Sequence, residues 1–311
     1  MIDILIPTFN RKDFLIPNVS FLEDEIAKYN LAGIVKIIVY DNFSEDGTHE
    51  HLVANSKLKN TSVFRQKKNV GLELNALSVL NVSESEYVMY LGDDDRIPEG
   101  YLKLIADYVS KNLDIGLILP GIFAVFESGE NLPVKRAGSK QRIMKPGFNS
   151  QLKYAYLAHQ LSGCVFKRDG LFAAYEKLGK NKNIYPFIFF ALYCQKTYST
   201  LYLPNMKVAV YEGNKKDWGY NNIGLLNEIA RNYDAIFEGG CLRVSLCLMY
   251  ICLKQSWRLR TNSINNHARA IKTLFKTTEI CFVFKVAIIP LMLPFLLKNV
   301  SLKLFRSANG N

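Results

Sequence analysis

The sequence predicts an α/β fold, a mostly parallel sheet with helices on both faces. Over residues 1–120, short apolar runs alternate with segments of helical periodicity, and polar clusters follow three of those runs. Strands that alternate with helices are typical of parallel sheets, which are covered on both sides. Ligands of such sheets bind beyond the carboxyl ends of the strands. The three polar clusters therefore mark the expected position of a site.

The predicted elements follow one another in strict alternation. Apolar runs predict strands at 2–6, 35–40, 62–65, 87–91 and 115–119. Apolar stripes predict helices at 13–29, 46–57, 71–80 and 98–110. Pro17 is expected in the first turn of the first helix, and Pro98 at the start of the last. Residues 129–150 are polar, basic and contain glycine and proline, so we expect a long loop there.

Charge is distributed unevenly along the 311 residues. Residues 1–120 carry 12 Lys or Arg against 18 Asp or Glu, whereas residues 241–311 carry 11 against one, Glu279. The basic last part needs a negative partner, either a nucleic acid or an anionic membrane. Its basic residues are interleaved with Leu, Ile and Phe rather than with polar residues, which favours lipid. We therefore expect a membrane surface to be bound through 241–311, and no nucleic acid.

The cysteines and the N-terminus indicate the compartment. None of the six cysteines lies in a CxxC pair or at zinc-ligand spacing, and most are among apolar residues, so buried thiols are expected. The chain opens on an apolar run without a basic segment before it, so no signal peptide is expected. These features favour the cytoplasm, with peripheral attachment to the inner face of the cell membrane.

Three adjacent aspartates, Asp93, Asp94 and Asp95, follow the fourth predicted strand. Their mutual repulsion at the end of a buried strand is costly unless something offsets it. A divalent cation does so, and Mg²⁺ or Mn²⁺ prefers carboxylate and phosphate oxygens. The alternative is a solvated acidic turn that caps the next helix. Its position after a strand favours a metal site.

Two further polar clusters have both a binding and a structural interpretation. Asp41 ends the second predicted strand and could accept a hydrogen bond from a nucleobase N–H, or could hold a turn together with Ser44 and Asp46. Asn69 precedes a helix whose N-terminus suits an anion, although simple capping explains it equally well.

Together these segments resemble the family 2 glycosyltransferases, which have the GT-A fold. The resemblance rests on four motifs in order, IDILIPTFNR, IIVYDNFSEDGT, NVGLELN and YVMYLGDDD, within residues 1–120. It implies that Asp41 binds the base and that the aspartates bind ribose and metal, with Asp95 as metal ligand and Asp93 as its partner. Because the run permits two registers, Asp94 could replace either. Pro7, Thr8 and Asn10 would line the nucleotide pocket.

The resemblance also implies a domain organisation and a reaction. A GT-A domain would occupy 1–220, with a nucleotide-binding half at 1–120 and an acceptor half at 121–220, followed by a helical, membrane-associating extension at 221–311. The implied enzyme is a hexosyltransferase-like, inverting, metal-dependent glycosyltransferase that uses a nucleotide-diphosphate sugar, commonly UDP-linked. The Gln-x-x-Arg-Trp motif of processive members is absent, so a single sugar is expected to be added.

The family's general base has no clear counterpart here. Many members carry an acidic pair in the second half, and no such pair occurs after residue 130. Asp217, beside Trp218 and Gly219, and His159 are the two candidates, although a lone histidine is more often structural. The segment 161–172 resembles the acceptor-side region of the family, where Gly163 would permit close backbone approach to the donor sugar.

The last apolar segment, 280–297, is interrupted by Lys285, Pro290 and Pro294 and is at the short end for a membrane span. It could lie in the membrane interface, form a buried core helix, or span the bilayer, and the surrounding basic residues favour the interface. An interfacial tail makes a lipid-linked saccharide acceptor plausible, as in the assembly of bacterial surface polysaccharides such as O-antigen or capsule.

Three other functions compete with this interpretation. The pI of about 9.2 would suit a nucleic-acid-binding protein. A nucleotidyltransferase is disfavoured because the segment after the first strand, PTFNR, contains no glycine for a phosphate loop. A non-catalytic GT-A-like domain would explain the missing base motif.

Overall fold

The computed structural model describes residues 1–111, 114–126, 136, 140–179, 183, 185–212, 226–260 and 263–308. The chain divides into two compact units. The first comprises Met1–Ser150 and Leu157–Asn214, and the second comprises Gln151–Tyr156 and Lys215–Asn311. The division predicted after residue 220 falls outside the described residues and stays a prediction.

The first unit is built on one mixed sheet of eight strands. In chain order they are β1 (Ile2–Thr8), β2 (Val35–Asp41), β3 (Thr61–Arg65), β4 (Tyr87–Tyr90), β5 (Ile115–Phe126), β6 (Arg142–Met144), β7 (Val165–Lys167) and β8 (Ser199–Glu212). Their spatial order is β3-β2-β1-β4-β7-β5-β8-β6. Strands β1 to β4 are parallel, and so are β5 and β8, whereas β7 and β6 run antiparallel to their neighbours. The predicted, mostly parallel α/β fold is confirmed.

Helices connect these strands. They are α1 (Lys12–Lys28), α2 (Thr48–Ala54), α3 (Leu72–Val82), α4 (Tyr101–Ser110), α5 (Phe148–Tyr154), α6 (Leu171–Glu176) and α7 (Pro186–Thr197), with a short 3-10 helix at Ala155–His159. Helix α1 buries Leu15, Val19, Leu22 and Ile26, which recur at helical spacing and pack in the same core as alternate residues of β1 and β2. This packing fixes the loops that follow both strands.

Two local expectations were wrong. Pro17 is the sixth residue of α1 and therefore lies beyond its first turn. The loop expected at 129–150 contains β6 and the start of α5 in its described part. Strand β6 has only three residues and forms by antiparallel pairing with β8, a long-range partner that no local pattern reveals.

A buried carboxylate fixes the start of the sheet. Asp3 on β1 accepts hydrogen bonds from the hydroxyls of Ser83 and Ser85, both at 2.7 Å, and from the backbone N–H groups of Glu84 and Ser85, both at 3.2 Å. These donors lie in the turn between α3 and β4. One carboxylate thus satisfies four donors that would otherwise be unpaired.

The second unit is helical. Its helices are α8 (Leu226–Phe237), α9 (Cys241–Lys254), α10 (Ile264–Lys276) and α11 (Phe282–Ala308), with a 3-10 helix at Ser256–Leu259. Cys241 and Cys281 form a disulfide that joins the starts of α9 and α11, whereas Cys164, Cys194, Cys247 and Cys252 are buried thiols. The disulfide was not predicted, because its cysteines lie 40 residues apart.

The apolar segment 280–297 enters α11 with a mixed burial pattern. Ile288 and Met292 are buried, whereas Phe282, Val283 and Leu297 are exposed. Within the described ranges, no helix is both long enough and apolar enough to cross a bilayer.

We predict that Asp3→Ala lowers the free energy of unfolding by about 2–4 kcal/mol, because several buried donors lose their acceptor. Urea denaturation measures the change. The matched control is Asp107→Ala, since the Asp107 side chain on α4 is half-exposed and paired with Lys103, and we expect it to cost less than about 0.5 kcal/mol. Equal effects of the two substitutions would show that the Asp3 network does not stabilise the fold.

Candidate active site

The candidate site lies at the carboxyl end of the parallel strands. Strand β1 is flanked by β2 on one side and by β4 on the other. The chain therefore proceeds from β1 to β2 and β3 in one direction across the sheet, and then crosses back to place β4 on the other side of β1. Such a switch point opens a crevice between the loops. Residues 9–11, 42–47 and 91–95 follow the three strands, which places the predicted polar clusters at one rim.

The side chain of Asn18, on α1, holds the backbone of the acidic turn at 92–95. The Asn18 side-chain amide donates to the carbonyl of Asp95 at 2.9 Å and lies 3.4 Å from the carbonyls of Gly92 and Asp93. Asn18 is 1% exposed. A buried amide that gathers three carbonyls fixes the backbone of a turn whose side chains repel one another.

Asp95 is anchored within the protein. It is 7% exposed. One carboxylate oxygen accepts a short hydrogen bond from the Ser162 hydroxyl, and the other accepts from the Tyr211 N–H of β8 at 3.1 Å. The Ser162 hydroxyl also accepts from the Gly92 N–H at 2.9 Å. Asp95 thus ties the acidic turn to the segment before β7 and to β8.

Asp93 and Asp94 are half-buried beside this anchor. Asp93 accepts a hydrogen bond from the Thr8 hydroxyl at 2.8 Å. Burial, followed by the negative charge of Asp94, raises the pKa of Asp93 to about 7, against the smaller opposing effect of the Thr8 hydrogen bond. Two neighbouring carboxylates that are costly to ionise together are a suitable donor set for a divalent cation, because the cation offsets their repulsion.

A metal shared with a diphosphate needs few protein ligands. Mg²⁺ is commonly bound through one or two carboxylates together with substrate phosphates. Among the described residues, no group of three or more His, Cys, Asp or Glu side chains is placed to hold a metal. Asp93 and Asp94 therefore fit a cation that completes its coordination with a phosphate-containing ligand.

Asp41 is completely buried at the end of β2. Its carboxylate accepts from the Ser44 N–H at 3.1 Å and from the Ser44 hydroxyl, and lies 3.3 Å from Nε of Arg65. Asp41 therefore holds the turn, as the structural interpretation predicts, and it also lies at the rim of the pocket that the binding interpretation predicts.

The loops of the rim are joined by hydrogen bonds. The Asn10 N–H donates to the Ser44 hydroxyl at 2.8 Å, and the Asn10 side chain accepts from the Glu45 N–H at 2.9 Å. Asn42 donates to Asn69 at 2.9 Å. Asn10, with a φ of 52°, and Asn69 are exposed, Pro7 is half-buried and Thr8 is buried. The structure thus brings the predicted nucleotide-binding residues to one rim.

Of the three residues predicted on the acceptor side, the structure describes His159 and Gly163. The His159 ring packs edge-on against Tyr185, with centroids 6.2 Å apart, and Asp217 lies outside the described residues. Gly163 has a φ of 75°, and a Cβ there would approach Val208 to 2.7 Å and Pro120 to 3.0 Å. Its missing side chain therefore permits close packing within the core of the first unit.

Asn18 and Ser162 were missed by sequence analysis. Asn18 follows Leu15 by three residues and precedes Leu22 by four, so it lies on the apolar face of α1. A polar residue on a buried face is a signal that could have identified it. Ser162 carries no such local signal, because its partners are 67 and 70 residues away.

The chain is similar to known proteins. Residues 3–175 match the model of a family described as Glycosyl transferase family 2. The curated abequosyltransferase RfbV of Salmonella typhimurium is 29% identical over 119 residues, which cover 38% of this chain and 35% of RfbV. The match therefore spans about a third of that relative.

Solved structures show the same fold. The crystal structure of S. aureus TarS 1–349 in complex with UDP-GlcNAc matches with a TM-score of 0.67 and 13% identity, covering 91% of this chain and 82% of that one. The crystal structure of S. aureus TarS matches with a TM-score of 0.66, covering 91% of this chain and 50% of that one.

We predict that Asn18→Ala lowers the free energy of unfolding by about 1–3 kcal/mol, because carbonyls of the acidic turn lose a buried donor. Asn18→Asp should be worse than alanine at neutral pH, since it adds a carboxylate beside three others. Urea denaturation measures both, with Asn81→Ala on the exposed face of α3 as control. If aspartate is tolerated better than alanine, Asn18 does not organise the turn.

Proposed function

The chain belongs to glycosyl transferase family 2, and from this premise we propose that it transfers a single sugar from a nucleotide-diphosphate sugar to an acceptor hydroxyl, with inversion. The observation that carries the proposal is the acidic turn at the switch point, where two half-buried carboxylates lie beside a third that the protein anchors. This turn shares a rim with the loop that follows Asp41, so one extended donor can contact both loops.

We propose that Asp93 and Asp94 hold Mn²⁺ or Mg²⁺. The sequence favours Asp95 with Asp93, but Asp95 is 7% exposed and tied to Ser162 and Tyr211, whereas Asp93 and Asp94 are half-buried. The bound ion would supply Lewis-acid stabilisation of the departing diphosphate. Thr8 orients Asp93 through its hydroxyl, while Asp95 and Asn18 keep the turn in place.

The remaining parts of the reaction are assigned by residue. Pro7, Asn10 and Asn69 line the side of the rim that receives the nucleoside, and the buried Asp41 fixes the loop there. Deprotonation of the acceptor hydroxyl needs a general base, for which Asp217 and His159 stay the two candidates. The pH–rate profiles of variants that lack one or the other side chain separate the two candidates, because substitution of the true base abolishes the acidic limb of the profile.

The relatives support a sugar donor and a polysaccharide product. RfbV is named as an abequosyltransferase, and TarS was crystallised with UDP-GlcNAc. We propose a UDP-sugar or similar donor and a saccharide acceptor, lipid-linked, in the assembly of a surface polysaccharide such as O-antigen or capsule. The site of action is the cytoplasmic face of the cell membrane.

A membrane surface is proposed as the partner of the second unit. Leu242, Leu246 and Leu253 are exposed on α9 at spacings of four and seven residues, which places them on one side of that helix. Phe282, Val286, Leu293 and Leu297 form a similar exposed stripe on α11. The disulfide Cys241–Cys281 joins the ends at which the two stripes begin.

The charge around these stripes favours anionic lipid. Exposed basic side chains accompany them on α9, α10 and α11, namely Arg243, Lys254, Arg269, Lys272, Lys276 and Lys298. Glu279, the single acidic residue of 241–311, lies 3.7 Å from Arg231. Apolar stripes with a basic surround suit the headgroup region of an anionic bilayer.

We predict that UDP with Mn²⁺ raises the melting temperature of the wild-type protein, and that Asp93→Asn and Asp94→Asn each abolish most of the Mn²⁺-dependent part. EDTA should stop transfer. Asp107→Asn is the control and should respond like wild type. If Asp95→Asn alone removed the Mn²⁺ response while Asp94→Asn kept it, Asp95 would be the ligand.

We predict that the protein floats with vesicles containing phosphatidylglycerol but not with pure phosphatidylcholine. Leu246→Glu and Val286→Glu should each weaken binding about tenfold or more, because each places a charge where an apolar side chain would enter the membrane interface. Leu74→Glu, an exposed leucine of α3, is the matched control. Salt-dependent binding to duplex DNA without flotation would support the nucleic-acid interpretation instead.

A further inference from the structure

Phe43 occupies a backbone conformation that favours glycine. It follows Asp41 and Asn42 in the loop after β2 and has a φ of 69°. Left-handed backbone brings a Cβ too close to the neighbouring carbonyl, so residues other than glycine, asparagine and aspartate rarely adopt it. Strained residues of this kind cluster at ligand-binding sites. The loop therefore keeps a phenylalanine where glycine would avoid the left-handed strain.

Burial of the ring does not offset this strain. Phe43 is 39% exposed, so much of the apolar surface that could stabilise the fold remains in water. A role in the core therefore does not explain the residue. What distinguishes Phe43 is its place, two residues after Asp41 on the rim that receives the nucleoside.

Arg65 lies over the Phe43 ring, with the guanidinium carbon 5.2 Å from the ring centroid. Its guanidinium is held from several sides. Nη1 donates to Glu50 and Nη2 donates to the Ser44 carbonyl, both at 2.7 Å, and Nε lies 3.3 Å from the Asp41 carboxylate. A guanidinium with three neighbours has a fixed position, so Arg65 packs against one face of the Phe43 ring and preorganises that ring.

The Phe43 ring lies directly outside the buried Asp41 carboxylate. Asp41 has no exposed area and already contacts Ser44 and Arg65, so it acts on a ligand through them. A preorganised, partly exposed aromatic ring backed by a guanidinium suits the π-face of a nucleobase, which stacks on aromatic rings and on guanidinium planes. Stacking also tolerates any base, so it supplies affinity rather than base identity.

We propose that Phe43, with Arg65 held against it, is the stacking surface for the nucleobase of the donor, and that Asp41 is a positioning residue that fixes Arg65. The inference rests on the proposed function, since it assumes a nucleotide donor at this rim. It adds a residue that recognises the donor and a reason for the strained loop.

Calorimetric titration with UDP and Mn²⁺, on the full chain, tests the proposal. Phe43→Gly and Phe43→Leu should each weaken UDP binding about tenfold, the usual consequence of losing one stacking partner, whereas Phe43→Trp should retain it. Binding of Mn²⁺ with inorganic pyrophosphate, which has no base, should be unchanged in all three. Phe64→Leu, an exposed phenylalanine of β3, is the matched control.

Melting temperature separates this role from a structural one. Phe43→Gly relieves the left-handed strain, so it should melt no lower than wild type while binding UDP more weakly. Wild-type affinity for UDP in both Phe43→Gly and Phe43→Leu would overturn the stacking surface and leave the proposed function intact. If the wild-type protein bound none of UDP, GDP, CDP and dTDP with Mn²⁺, the proposed function would fail as well.

Discussion

The constraint on which the site depends is the repulsion among three adjacent carboxylates at the end of a buried strand. Uncharged hydrogen-bond donors from several elements of the fold contact this turn. The Asn18 amide gathers the turn's carbonyls, the Ser162 hydroxyl and the Tyr211 N–H take up the Asp95 carboxylate, and the Thr8 hydroxyl meets Asp93. These contacts hold the backbone of the acidic turn in place beside the rim. The donors come from α1, β1, the segment before β7, and β8, which makes the whole sheet part of the support for one turn.

The sequence was informative where a pattern is local. The five predicted strands of the first 120 residues lie close to the observed ones, because each is a compact apolar run. The three polar clusters were placed correctly at one rim, since parallel strands share a carboxyl edge. What failed depends on distant partners. Strand β6 exists through its pairing with β8, and Ser162 acquires its role from residues about 70 positions away. The backbone strain at Phe43 has no sequence signature either, because it belongs to a turn conformation. The general base stays a prediction at Asp217 and His159.

The second unit gives the charged residue of its last apolar segment a structural role. Lys285 was expected to weaken a membrane span, and the structure gives it a definite structural partner. The residue is 8% exposed, and its ammonium group donates to the Phe275 carbonyl at 3.0 Å, in the last turn of α10. Carbonyls at a helix C-terminus lack partners within the helix, and a cation is favourable there. The lysine thus joins α11 to the end of α10, while the apolar residues around it divide between the interior of the unit and its surface.

Strand β7 has a consequence for the order in which the protein folds. It contains only Val165–Lys167, yet it pairs with β4 on one side and with β5 on the other. Until residue 167 has left the ribosome, β4 therefore presents an open edge, and β5 has no ladder that connects it to β1. A nascent chain of about 160 residues would carry an unpaired apolar strand edge, which is the kind of surface that invites intermolecular pairing. The order of the strands along the chain thus leaves the edge of β4 unprotected until β7 has been synthesised.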